Sequence, residues 1–64
     1  MRTFNLSPGD RVSVERINGE TYELFLEDGP YTTKEGPCVT LADDCGNITS
    51  ATWKEDELKW VEND

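Results

Sequence analysis

The chain has 64 residues, no histidine, two cysteines and a net charge of −8. A domain of that length buries only about 60% of the surface its unfolded chain exposes, so stability is marginal and there is little room for a reaction chamber. Without histidine, two thiols cannot complete the four-ligand shell of a structural zinc within one chain, and the acidic balance repels phosphates, which opposes direct binding of nucleic acid.

Charge is unevenly spread. Residues 1–17 hold three arginines against two acids, a net of +1, whereas residues 18–64 hold three lysines against twelve acids, a net of −9. No apolar run opens the chain, so neither a signal peptide nor a membrane span is predicted and a cytoplasmic setting is expected. Asn5-Leu6-Ser7 and Asn47-Ile48-Thr49 match the glycosylation acceptor pattern, which is expected to be a chance match in a cytoplasmic setting.

Pro8-Gly9-Asp10 is a turn: Pro8 presets φ, Gly9 permits the bend, and Asp10 can bond backbone donors just ahead. It aims the chain into a first strand carrying Val12 and Val14. Further turn signals at Asn18-Gly19, Asp28-Gly29-Pro30, Gly36-Pro37 and Cys45-Gly46-Asn47 leave segments of strand length.

Register follows from the apolar pattern. A two-residue Asn18-Gly19 turn puts Val12 and Val14 on the face of Glu23 and Phe25. A three-residue loop, Ile17-Asn18-Gly19, instead pairs Val12 with Leu24, Val14 with Tyr22 and Arg16 with Glu20, and places Gly19 where a type I turn with a bulge needs a left-handed residue. In the later hairpin the loop Asp44-Cys45-Gly46 pairs Leu41 with Thr49 and Val39 with Ala51, with Trp53 continuing that face. Between the hairpins, residues 27–37 are expected to form a long loop. Residues 54–58 are expected to make one helical turn, with Glu55, Asp56 and Glu57 in its solvated first turn, and residues 59–62 a closing strand.

Five short strands avoid open edges by curling into a barrel. "PGDRVSV", "GNITSATW" and "EDELKWV" together resemble the outline of small SH3-like barrels, in which a Gly-Asp dipeptide leads into the first strand and a charged turn ending in Leu precedes the last. The resemblance implies a mainly β, five-stranded barrel forming a single domain over residues 1–64. SH3-like barrels include peptide readers, RNA-contacting modules and docked subunits, so it implies fold more than function. The loops here carry Glu and Asp where the RNA-contacting members carry Lys and Arg.

Residues able to carry chemistry are few. Aligning Gly46 with the glycine of a calcium loop puts Leu41 at the first ligand position and Thr52 where a bidentate Glu belongs, so residues 43–47 are predicted to be an acidic hairpin tip. Cys38 and Cys45 lie roughly 20 Å apart along an extended strand, beyond the roughly 4.4–6.8 Å a disulfide spans, and no histidine is present to activate either thiol. Carboxylates are plentiful, but acid–base work needs one perturbed inside a pocket. No enzyme activity and no cofactor is expected.

Val12, Val14, Leu24, Val39 and Leu41 form the predicted core, with Tyr22 and Trp53 on its face. Phe25 falls on the opposite face beside Arg11, Tyr31 lies in the middle loop, and Trp60 either shares an inward face with Leu58 or joins the surface. Exposed aromatics ringed by acids suit a protein-binding surface, so Phe25, Tyr31, Trp60, Asp28 and Glu35 are the predicted contacts for a protein partner, itself basic. The alternative is an acidic inhibitor that mimics nucleic acid, which asks for carboxylates spaced like phosphates over one continuous face.

Overall fold

The computed structural model describes residues 4–63. Five strands, β1 (Arg11–Glu15), β2 (Thr21–Thr33), β3 (Gly36–Ala42), β4 (Ile48–Lys54) and β5 (Lys59–Glu62), follow one another around a closed barrel. Successive strands pair antiparallel. Closure comes from a short parallel ladder between β1 and β5, in which Val14 pairs with Trp60 and Glu15 with Val61.

Both bulged hairpins form as predicted. Val12 faces Leu24 and Val14 faces Tyr22. The Arg16 amide donates to the Glu20 carbonyl (2.7 Å), the Gly19 amide donates to the Arg16 carbonyl (2.9 Å), and Gly19 takes φ +89°. The β3–β4 loop repeats this pattern: Asp43 and Asn47 close it, the Gly46 amide donates to the Asp43 carbonyl (3.1 Å), and Gly46 takes φ +85°. Leu41 faces Thr49 and Val39 faces Ala51. The opening turn differs in one detail, because Asp10 reaches backward and its carboxylate accepts the Ser7 amide at 2.9 Å.

The expected middle loop is strand. β2 continues to Thr33, and a two-residue turn, Lys34-Glu35, connects it to Gly36, which pairs with Thr33. Register shifts between Leu26 and Asp28 and between Asp28 and Tyr31 each insert one extra residue on β2. Such bulges bend a strand and absorb residues that would break a regular one. Pairing with β1 ends at Phe25, so beyond the bend β2 is paired only with β3 among the described residues. Proline is tolerated in a strand at such an edge, and Pro30 sits there, after a cis Gly29–Pro30 peptide. Gly29 is the tight point. With φ +100°, a Cβ added there meets the Cys38 carbonyl oxygen at 2.9 Å.

Val12, Val14, Leu24, Leu26, Val39, Leu41, Ala51 and Trp60 fill the barrel. Burying each large aliphatic side chain contributes roughly 1.5–3 kcal/mol. One end is closed by Phe4, Trp53 and Trp60, whose ring centroids lie 5.1–5.3 Å apart in tilted and edge-to-face arrangements. The other end is closed by Glu62. Its carboxylate accepts the Arg16 Nε–H (2.8 Å), the Ile17 amide (3.0 Å) and the Thr49 hydroxyl (2.9 Å).

Three expectations are corrected here. Tyr22 lies at this polar end, 41% exposed, with Arg16 over its ring at 5.5 Å and its hydroxyl donating to Glu20; it has the core phase but lies one layer beyond the core. Residues 55–58 form a turn, not a helix, with the Glu57 amide donating to the Lys54 carbonyl at 3.1 Å. Leu58 leaves that turn at φ 55° and is 62% exposed, so it does not share the inward face of Trp60. The left-handed residue reverses the chain into β5 at once, which a continuing helix cannot do.

Two outcomes follow. Gly29→Ala lowers the urea midpoint clearly more than Gly19→Ala. The Gly19 change carries only the left-handed penalty of roughly 1–2 kcal/mol, since nothing lies within 4 Å of a Cβ there, whereas the Gly29 change adds a backbone clash. Equal midpoints contradict the bulge geometry. Glu62 is held below the usual carboxylate range, first by the Arg16 side chain and then by the Ile17 amide and Thr49 hydroxyl, against the opposing effect of burial. Its folded-state value is depressed, so its stabilisation is complete above the unfolded value of about 4.3 and is lost as pH falls through the lower folded value. Urea midpoints measured against pH should therefore fall in that acid window, and Glu62→Gln should lower the midpoint near neutrality and flatten the acid slope.

Candidate functional site

Two turns converge on one side of the molecule. Lys34-Glu35 joins β2 to β3, residues 55–58 join β4 to β5, and between them lies an open cleft of about 510 Å³. Pro37 and Trp53 supply apolar lining, and Glu35, Glu55 and Asp56 surround them with Lys54. The strands fix this arrangement. Trp53 pairs with Trp60 across β4–β5, which anchors its ring partly in the core, and its Nε1–H donates to the Glu55 carboxylate. An indole face attracts cations, and carboxylates around it add to the attraction. The cleft thus combines an apolar floor with three carboxylates and one ammonium group.

The five residues predicted from the sequence separate into three places. Glu35 belongs to this cleft. Phe25, Asp28 and Tyr31 lie along β2, with Phe25 half-buried under the Arg11 guanidinium (5.9 Å) and Tyr31, 44% exposed, hydrogen-bonded through its hydroxyl to Thr40 Oγ1 (3.2 Å). Trp60 is only 6% exposed and belongs to the core. Sequence reasoning assigned Trp53 to packing alone and did not single out Pro37. The signal available was a tryptophan followed at once by Lys54-Glu55-Asp56-Glu57, a core residue abutting an acidic turn.

Several other acids already have partners. Asp43 lies below the ordinary carboxylate range, first because of the Asn47 side-chain amide (3.0 Å) and then the Asn47 backbone amide, with the Cys45 amide adding to this (both 2.9 Å). It organises its own loop. Lys59 bridges Glu15 and Glu57. Among the described residues no three histidine, cysteine or acidic side chains are grouped as metal ligands, and no helix is long and apolar enough to cross a membrane.

Closed strand order, two bulged hairpins and a turn before the last strand make this an SH3-like barrel. Neither any known protein family nor any curated protein or solved structure matches the chain.

Both cysteines are free, Cys38 buried and Cys45 exposed at its loop tip. Cys38 Sγ lies 3.1 Å from Thr52 Oγ1 beneath the surface. A thiol-reactive chromophore should therefore label Cys45 promptly in the native state and Cys38 only on unfolding. Prompt labelling of both in native protein contradicts this packing of β3 on β4.

Proposed function

We propose that the chain is a non-enzymatic, acidic binding module that docks on a basic protein partner, using the cleft between the β2–β3 and β4–β5 turns. The observation that carries this reading is the composition of that cleft, an apolar lining of Pro37 and Trp53 with Glu35, Glu55 and Asp56 around it. Aromatic centres with polar margins are typical of protein interfaces. The net charge of −8 steers a basic partner toward the molecule and makes association salt-sensitive. Two free thiols agree with a reducing, cytoplasmic setting.

Mimicry of nucleic acid has less support. It asks for carboxylates over one continuous face, whereas Glu62 and Glu15 are drawn onto Arg16 and Lys59, and β3 and β4 carry no acid at all.

A lysine-rich peptide of extended conformation serves as a probe, with intrinsic tryptophan fluorescence as the readout. Binding should weaken about tenfold as salt rises from about 0.05 M to about 0.2 M. Glu35→Gln with Asp56→Asn should weaken it by about the same factor without moving the urea midpoint, because both side chains are exposed. Unchanged affinity in that double variant removes the cleft as the docking site.

A further inference from the structure

All six cations and fourteen acids of the chain lie outside residues 36–42 and 48–53. Those two segments form most of β3 and β4, whose inward residues Val39, Leu41 and Ala51 belong to the core. The core accounts for apolar residues on one face only. Outward positions of a strand in an acidic protein ordinarily carry charge, yet here they carry none.

Cross-strand pairing assembles these positions into rows. Phe25, Ala42 and Ile48 align across β2, β3 and β4; Asp28, Thr40 and Ser50 form the next row, and Tyr31, Cys38 and Thr52 the third. The Tyr31–Thr40 hydrogen bond ties two rows together on the same face. Small side chains occupy the centre, with Ala42, Cys38 and Thr52 buried, while Ile48 (61%) and Tyr31 stand exposed at the margins. Asp28 is the single charge among these nine residues.

We propose that this outer face of β2, β3 and β4 is where a second copy of the chain docks, forming a weak two-fold dimer. Charge selects the occupant. A basic partner gains little from a face with one acid and is steered to the acidic surface instead. For another copy of a −8 chain the opposite holds, since most of the remaining surface opposes acid to acid and this face does not. The chemistry is also self-complementary. About a two-fold axis a surface meets itself, so its groups must be able to pair with their own kind. Hydroxyls such as those of Thr40, Ser50 and Tyr31 donate and accept, and apolar Ile48 packs on a like group, whereas carboxylates and ammonium groups repel their own kind; Phe25, under the Arg11 guanidinium, forms the edge of the face. Nine residues on three strands make a small interface, so the association is weak. None of these nine residues lines the acidic cleft, so the two proposals stand or fall separately.

Sedimentation velocity over a range of protein concentration tests the dimer. Two bodies of like charge repel, so salt should strengthen the association, with the dissociation constant falling roughly tenfold from about 0.05 M to about 0.5 M. That sign is opposite to the one expected for the lysine-rich peptide. Ile48→Lys, at an exposed site whose loss leaves the core intact, should raise the dissociation constant at least about tenfold by burying an unpaired charge. Ser13→Lys, an equal charge change at an exposed position of β1, should lower it by reducing the net repulsion. Thr40→Lys provides a second variant at the centre of the face and should act like Ile48→Lys. A single monomer at all concentrations up to about 1 mM, or Ile48→Lys and Ser13→Lys shifting the equilibrium in the same direction, overturns the proposal.

Discussion

The structure depends on closing the barrel between β1 and β5 with very little backbone. Only Val14↔Trp60 and Glu15↔Val61 pair there, and parallel pairing is slightly weaker per residue than antiparallel pairing. Side chains supply what the ladder lacks. Trp60 enters the core from β5 and stacks with Phe4 and Trp53, while Glu62 takes donors from Arg16, Ile17 and Thr49 and so binds β5 to the first hairpin and to β4. A large apolar ring on one side and a hydrogen-bonded carboxylate on the other hold the last strand in place. Burying the carboxylate is tolerable because three donors and an opposite charge meet it.

Closing the interior in this way moves any function outward. Side chains fill a barrel of this size, so the chemistry available lies on turns and outer faces. There the chain separates its charges into two regions. The turns gather acids around Trp53 and Pro37, and the outer positions of β3 and β4 gather hydroxyls and small apolar groups. A field of this sign would draw a basic body to the first region and oppose contact between like molecules over most of the surface outside the second. On the two proposals above, the surfaces would answer to salt with opposite sign.

Both hairpin registers were legible in the sequence, because side chains alternate with a period of two and a slip of one residue turns every apolar group to the wrong face. Gly19 and Gly46 then had a single place to go. The extent of β2 was not legible. Asp28-Gly29-Pro30 reads locally as a break, and only pairing with β3 shows that two bulges carry the strand through it. Tyr22 misled for a related reason: alternation gives a residue's face but not its layer, and Tyr22 has the inward phase one layer beyond the core, where the barrel opens and Arg16 and Glu20 meet its ring and hydroxyl. Of the residues named as contacts, Glu35, read as part of a long middle loop, is the one that lines the cleft, whereas its neighbours Pro37 and Trp53 were not singled out, since no spacing along the chain relates residue 37 to residue 53.

The sequence by itself determined which residues pair across the β1–β2 and β3–β4 hairpins and that the barrel would be acidic, since both depend on local alternation, turn chemistry and composition. Only the tertiary structure decided where the closing strand docks, that Trp60 is core, that Leu58 turns outward, and which acids gather around Trp53. Those outcomes depend on contacts between residues far apart in the chain, which are set when the sheet closes and not by any local preference.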